Sequence, residues 1–273
     1  MQFAKTSVVK LLGLFAAAAL FSVTNAWAQV DTLASIKQKG KIVVGVKADY
    51  KPFGYVDPSG KIVGFEIDMA NEIAKKLGVQ IELIPVVAAN RMEFVKQGRT
   101  DLMIATMSYK PDRAEVLAIP EPFYYASAAA VLAKKNSGLK EWTELKGKTV
   151  CGIQGAYYNR RTGDEFGAKL LTFKGSTEAL AALEAGNCVG IVFDSTFFAG
   201  VTSEPKWADY AIMLPLIDLE PWGMGLRKED TKFAAFISDT LKEWHKTGFI
   251  IGLEKKWGIT PSPYLVEQNA KFK

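Results

Sequence analysis

Two stretches of this chain, one after the other, carry the same order of patterns: strand, helix, strand, helix, strand. The first runs KIVVGV, FEIDMANEIAKKLG, QIELIPVV, NRMEFVKQG and DLMIATM from residue 41; the second runs KTVCGI, a helix over residues 157 to 169, LLTFK, STEALAALEAG and CVGIVF. Strands that alternate with helices run parallel, because each helix carries the chain back to the same end of the sheet. Phe65, Met69, Ile73 and Leu77 recur at four-residue spacing on one helix face, and Gly78 stops that helix. The strands are short, β-branched and apolar on both faces, as strands covered by helices on both sides are. The expected fold is therefore α/β with two lobes, each a mostly parallel sheet flanked by helices.

Between the two runs lie PFYYASAAAVLAKK and NSGLKEWTELKG, an extended small-residue segment and then a polar loop. They predict a strand that crosses between lobes. The stretch YAIMLPLIDLEPWGMGLRK predicts the return crossing, after which Phe233, Phe236, Ile237, Leu241 and Trp244 mark an amphipathic helix that packs back on the first lobe. The expected division is residues 29–124 with 220–273 in one lobe and 125–219 in the other.

The first 28 residues read as a signal peptide. Lys5 and Lys10 supply positive charge, Leu11 to Phe21 form an apolar run, and Asn25-Ala26-Trp27-Ala28 ends in the small-x-small pattern of a cleavage site. The apolar run is shorter than the ~20 residues needed to span a bilayer. Cleavage near Ala28 and a soluble periplasmic product are expected, with no cysteine near the cut to carry a lipid. Removing residues 1 to 28 takes Lys5 and Lys10 but no acid, which lowers the formal charge from +5 by two to +3. The remaining cations are scattered and the aromatics follow core spacing, so no nucleic-acid surface is expected.

Cys151 and Cys188 both fall in a part of the chain whose compartment permits disulfides. Each stands at the start of a strand, and the two strands are expected as neighbours in one parallel sheet, which brings bridging distance within reach. A disulfide is the economical reading and two buried thiols the alternative. Their spacing does not suit a metal, and no cofactor is expected.

In open α/β sheets ligands lie beyond the carboxyl ends of the strands. At that point of the first run stand Thr106, Ser108 and, one short loop later, Arg113; at that point of the second stands Asp194. A guanidinium matches a carboxylate with two parallel charge-assisted hydrogen bonds, and a carboxylate suits an ammonium. Thr106 and Ser108 can add hydroxyl and carbonyl partners, and Gly155, at the turn into a helix, can present backbone N–H groups to an anion. Taken singly, each residue has a plainer reading. Arg113 can pair with Asp112 or Glu115, Asp194 can cap a helix starting at Ser195, and Ser108 can sit in a turn. Their joint placement at strand ends describes a zwitterion.

These segments bring out a resemblance. YKPFGYVDPSGKIVGFEIDMANEIAKKLG, DLMIATMSYKPDRAEVLAIPEPFYY, GIQGAYYN, GNCVGIVFDST, PWGMGLRK and GFIIGLEKKWG, with the Thr-x-Ser-x4-Arg spacing inside TMSYKPDR, resemble the polar amino-acid-binding solute-binding proteins of ATP-driven importers. This is family 3 of the bacterial extracellular solute-binding proteins, that of the histidine, glutamine and glutamate/aspartate receptors. The resemblance implies a type II two-lobe hinge fold, a monomer, and delivery of an amino acid to a membrane permease. It implies that Arg113 binds the ligand α-carboxylate, that Ser108, Thr106 and Asp194 hold the α-ammonium, and that Tyr50 covers the ligand. Where relatives carry Ser or Thr in the turn at Gly155, this chain has Ala156 and Tyr157. The carboxylate then relies on backbone N–H groups, or the ligand is not a standard α-amino acid.

Lys47 stands where receptors for basic amino acids carry an acid. With Arg91 it resembles the cation pair that meets the side-chain carboxylate in glutamate/aspartate receptors, so the expected ligand is an acidic amino acid, glutamate or aspartate, rather than Lys, Arg or His. The alternative, a solvated Lys47 and an Arg91 that decorates a helix start, stays open here. A few proteins resembling this family are cyclohexadienyl dehydratases, which need a placed general acid. Glu165 is expected to be exposed and His245 to be solvated or half-buried at the surface, so no catalytic residue is assigned and a binding protein is expected.

Overall fold

In the computed structural model the described residues are 31–273, and the expected signal peptide lies outside them. Helix α1 (Thr32–Lys39) leads into β1 (Lys41–Val46), the small antiparallel set β2 (Asp49–Tyr50), β3 (Gly54–Val56) and β4 (Ile62–Val63), then α2 (Phe65–Leu77) and β5 (Gln80–Pro85). After α3 (Arg91–Lys96) come β6 (Leu102–Ile104), α4 (Pro111–Val116) and β7 (Leu117–Ala118). The long strand β8 (Tyr125–Lys134) crosses to β9 (Thr149–Ile153), α5 (Tyr158–Asp164), β10 (Lys169–Phe173), α6 (Ser176–Glu184), β11 (Gly190–Asp194), α7 (Ser195–Thr202) and β12 (Tyr210–Ile212). The return is β13 (Ile217–Trp222) and β14 (Leu226–Arg227), followed by α8 (Thr231–Thr247), α9 (Phe249–Trp257) and α10 (Pro263–Phe272).

The two runs fold on one plan. β1 pairs in parallel with β5 on one side and β6 on the other, and β9 pairs in parallel with β10 and β11 in the same way. The second sheet then departs from the mostly parallel expectation. β8 runs antiparallel to β11, with Asp194 opposite Ala129, and β12 and β13 add to β8 antiparallel as well. The alanines of β8 are buried and leave room for the close approach of its neighbours. β5 and β10 are edge strands, so Gln80, Glu82, Lys169 and Leu171 alternate outward rather than being apolar on both faces. The helix expected over 157–169 ends at Asp164, because Gly163 weakens it and Gly167, at φ 68°, turns the chain into β10.

Both crossings run side by side. β13 pairs with β8 as far as Trp222 opposite Tyr125, so the expected boundary at 219/220 falls inside a strand. Around this ribbon Phe53, Phe65, Tyr125 and Trp222 pack edge to face or tilted, with ring centres 5.1–5.6 Å apart. The amphipathic face of α8 buries Phe233, Ile237, Leu241 and Trp244, and Asp230 caps it, accepting from Phe233 N at 3.1 Å and from Thr32 N at 3.0 Å. His245 is not at the surface as expected. It is 2% exposed, its Nε2 lies 2.8 Å from the Phe123 carbonyl, and Phe272 of α10 stacks on its ring. Burial lowers its pKa. Among the described residues no helix is long and apolar enough to cross a membrane.

Cys151 of β9 and Cys188, two residues ahead of β11, are joined in a disulfide with Cα atoms 5.6 Å apart. The bridge spans 37 residues of sequence. Loop-closure entropy over that length is worth about 4 kcal/mol as an upper figure. Replacing both cysteines with serine is expected to lower the unfolding free energy measured by urea titration by up to that amount, and an unchanged value would show that the bridge adds nothing to stability.

Candidate functional site

The residues that follow the carboxyl ends of β1, β6, β9 and β11 converge on one enclosed pocket. Lys47 comes from the first, Thr106 and Ser108 from the second, Ala156, Tyr157 and Tyr158 from the third, and Phe193 and Asp194 close the fourth; Ala88, Arg91 and Arg113 complete the wall. The cavity is about 10 Å³, room for about one water. A guest of amino-acid size does not fit that space in this arrangement of the lobes.

Arg113 lies in α4, begun by Pro111, and is 7% exposed. Its Nη1 donates to the Ser108 carbonyl at 2.8 Å and its Nη2 to the Gly155 carbonyl at 3.2 Å, from one lobe to the other. Among the described residues no ion pair joins it to Asp112 or Glu115. Arg91 opens α3 but turns inward, 5% exposed. Its Nη1 donates to the carbonyls of Ala105 and Thr106, the latter at 3.1 Å, and its Nε has no partner. Burial, then the nearby charge of Arg113, lowers its pKa to about 10. Lys47 is 2% exposed and pairs with Asp49 at 2.7 Å, so it is not solvated.

Asp194 occupies the residue before α7, yet its side chain caps no backbone N–H there; Ser127 Oγ accepts from Thr196 N instead, at 3.3 Å. Asp194 accepts from the Tyr50 hydroxyl at 3.2 Å. Burial pushes its carboxyl up to about 7, outweighing Arg91, the Tyr50 bond and Arg113. Glu66 forms a second buried carboxylate just behind the wall. Its Oε1 accepts from Thr106 N at 2.7 Å and from the Tyr124 hydroxyl, its Oε2 has no partner, and burial raises its carboxyl to about 7. Between Glu66 and Arg91 the backbone of Thr106 is held at φ 49°, a conformation that a β-branched residue adopts at a cost.

Two expected site residues do not line this pocket. Tyr50 is fully buried behind it, its ring 4.9 Å from that of Phe197 and its hydroxyl 2.7 Å from Thr196 Oγ1, and that hydroxyl braces Asp194. Gly155 is exposed at the mouth and turns its carbonyl, not its N–H, toward Arg113. A Cβ there would meet the Ala88 backbone at 2.8 Å, and φ is 82°, so the close approach of the two lobes at this point requires glycine. The aromatic walls are Tyr157, Tyr158 and Phe193. Tyr157 is fixed by its hydroxyl, which donates to the Asp218 carbonyl at 2.8 Å, and by Lys110 Nζ, 4.3 Å from its ring centre.

Sequence reading missed Glu66, Tyr158 and Phe193. Glu66 carried a legible signal, because with Ala70, Ile73 and Leu77 it falls on the apolar face of α2, where an unpaired acid has no place. Glu165 is exposed and paired with Arg161 at 2.7 Å, and His245 lies under α10, so neither is aimed into the pocket as an acid. Among the described residues no cluster of His, Cys, Asp or Glu could hold a metal ion.

Burial of Asp194 gives stability a definite pH dependence. Its folded pKa, about 7, lies above the ordinary aspartate value of 3.8, so the folded protein keeps a proton that the unfolded chain releases. That contribution is complete below about pH 4 and is lost as pH rises through 7. At 1.36 kcal/mol per pKa unit, Asp194→Asn is expected to be about 2–4 kcal/mol more stable than the parent at pH 8 and nearly equal to it close to pH 4. Urea unfolding at the two pH values measures the difference, and an equal gap at both would contradict it.

Comparisons with known proteins bear on the family and the fold. The model of the bacterial extracellular solute-binding proteins, family 3, matches residues 42–260. The glutamine-binding protein of Geobacillus stearothermophilus is 32% identical over 225 residues, 80% of this chain and 84% of that protein. The glutamate/aspartate import solute-binding protein of Salmonella typhimurium is 27% identical over 96% of this chain and 91% of its own length. Among solved structures, a mutant of ArgBP from T. maritima superposes with a TM-score of 0.78 at 31% identity, covering 83% of this chain and 98% of that one. With its two parallel triplets and its pocket at their ends, the chain belongs to the bacterial extracellular solute-binding proteins of family 3.

Proposed function

We propose that this chain is a periplasmic receptor that captures one amino acid between its lobes and delivers it to the permease of an ABC importer. The observation that carries the reading is the convergence of Arg113 and Asp194, one from each lobe, on a single desolvated pocket. Arg113 takes the α-carboxylate, and Asp194, with the carbonyl and hydroxyl groups of Thr106 and Ser108, takes the α-ammonium. Because Ala156 and Tyr157 offer no short hydroxyl, the carboxylate leans on Arg113 and on backbone groups. Residues 31–124 with 220–273 move as one body against 125–219, bending at β8 and β13, and closure strengthens each charge contact by excluding water.

The side chain of the ligand meets Lys47 and Arg91. Three cations, Lys47, Arg91 and Arg113, line the pocket; Lys47 is paired with Asp49, which leaves the two guanidiniums against the one carboxylate of Asp194, and burial keeps that carboxylate partly protonated near neutral pH. The pocket is therefore electropositive before a guest arrives, which favours glutamate or aspartate over a neutral or basic amino acid. Two of the relatives named above bind glutamine, or glutamate and aspartate, side chains that also end in a carbonyl or carboxylate oxygen.

A thermal-shift panel of glutamate, aspartate, glutamine, cysteine and arginine tests this, since a ligand that binds only the folded state raises the melting temperature. The acidic pair is expected to give the largest shifts. In calorimetric titration, Arg113→Ala and Asp194→Asn are each expected to weaken binding of every amino acid by roughly 30-fold or more, the usual result of leaving a buried charge unpaired. Lys47→Ala is expected to weaken glutamate and aspartate selectively. A panel with no shift at all would end the receptor reading, and an arginine-only shift would end the acidic one.

A further inference from the structure

Helix α6 begins after Gly175, a residue with no side chain to offer its free backbone N–H groups. The acceptor comes from the other lobe. Asp49, in β2, accepts through Oδ2 from Ser176 N at 2.9 Å; Ser176 Oγ lies 2.9 Å from the same oxygen and 2.6 Å from the Asp49 carbonyl. The other carboxylate oxygen, Oδ1, is 2.7 Å from Nζ of Lys47, which lines the pocket. Burial raises the carboxyl of Asp49, but Lys47 and the two Ser176 bonds outweigh it and hold its pKa below the ordinary value. It therefore stands charged at a helix N-terminus, where negative charge is stabilised.

We infer that Asp49 is a positioning residue that couples occupancy of the pocket to closure, joining Lys47 on one side to the start of α6 in the opposite lobe on the other. The inference rests on the reading in which Lys47 meets the ligand side chain. A ligand oxygen on Lys47 fixes its ammonium, the ammonium fixes Asp49, and Asp49 caps α6 only while the lobes are together. The neighbouring interlobe pair Lys51–Glu204, 3.1 Å apart, has side chains 54% and 45% exposed and adds little, which makes it the internal control.

The test compares Asp49→Ala, Asp49→Asn, Ser176→Ala and Lys51→Ala in the full chain with L-glutamate as probe. Dissociation is followed by rapid mixing, and amide exchange is followed at the first turn of α6. Asp49→Ala is expected to speed dissociation about fivefold, the size of a lost helix cap, with little change in association, and to accelerate exchange of the Ser176 amide. Asp49→Asn, which keeps an acceptor oxygen, restores most of the exchange protection; Ser176→Ala speeds dissociation by itself; Lys51→Ala changes neither. Parent-like dissociation in both Asp49→Ala and Ser176→Ala overturns the inference, and so does parent-like dissociation in Ser176→Ala should Asp49→Ala not fold. If the parent gives no titration heat with L-glutamate, the acidic-ligand reading fails separately. Exchange at α6 in the ligand-free protein then decides the latch: faster exchange in Asp49→Ala than in the parent supports it, and equal exchange overturns it.

Discussion

Charged groups held out of water at the ends of the strands dominate this structure. Lys47, Arg91, Arg113, Glu66 and Asp194 are all nine-tenths buried or more, and burial of an unsupported charge is among the most expensive arrangements a protein can adopt. The supports are mostly dipoles rather than counter-charges. Arg113 rests on the carbonyls of Ser108 and Gly155, Arg91 on those of Ala105 and Thr106, and Asp194 on the hydroxyl of Tyr50. A dipole compensates a charge only partly, so each group keeps attraction for an opposite charge placed beside it. In the proposed receptor a charged guest would complete what the protein leaves incomplete.

The same reasoning explains why the wall behind the pocket is strained and polar. Thr106 would not hold a left-handed backbone unaided, but Glu66 grips its N–H while Arg91 grips its carbonyl, and Glu66 is itself anchored by Tyr124. The arrangement fixes Thr106 and, two residues on, Ser108 at the pocket edge. It does so at the expense of a carboxylate whose Oε2 has no partner. A hydrocarbon core would be more stable there and would position nothing, which is the usual exchange of stability for function.

Much of this was legible before the structure. Alternating patterns gave both parallel triplets, the crossing strands and the face of α8, because periodicity records which side of an element faces a core. Strand-end placement brought Thr106, Ser108, Arg113 and Asp194 to one pocket without any contact being known. The rest depends on which element covers which, and periodicity is silent on that. His245 reads as a surface residue until α10 is laid over it, and β8 reads as a crossing strand without showing that it would also extend the second sheet. Tyr50 stands in sequence beside the pocket residue Lys47, but the aromatic packing of Phe53, Phe197 and Trp222 draws its ring into the core. Glu66 was the reverse case, a visible anomaly on an apolar helix face that passed as part of a familiar motif.

The repetition of one topology in both lobes also bears on recognition. In β5-β1-β6 and in β10-β9-β11 the first strand is central, with the second and third on either side, so the two sheets present equivalent strand ends to the cleft. What distinguishes them is charge: after β6 the first sheet supplies Arg113, while β11 of the second ends in Asp194. A symmetric scaffold thereby acquires a direction. A molecule with a carboxylate at one end and an ammonium at the other can satisfy both lobes in one orientation, whereas the reversed pose sets like charges together in a medium of low dielectric constant, where their repulsion is screened least. In the proposed receptor, orientation would thus be fixed by the backbone ends of the ligand, and discrimination between amino acids would be left to Lys47 and Arg91 on one wall and Tyr157, Tyr158 and Phe193 on the other.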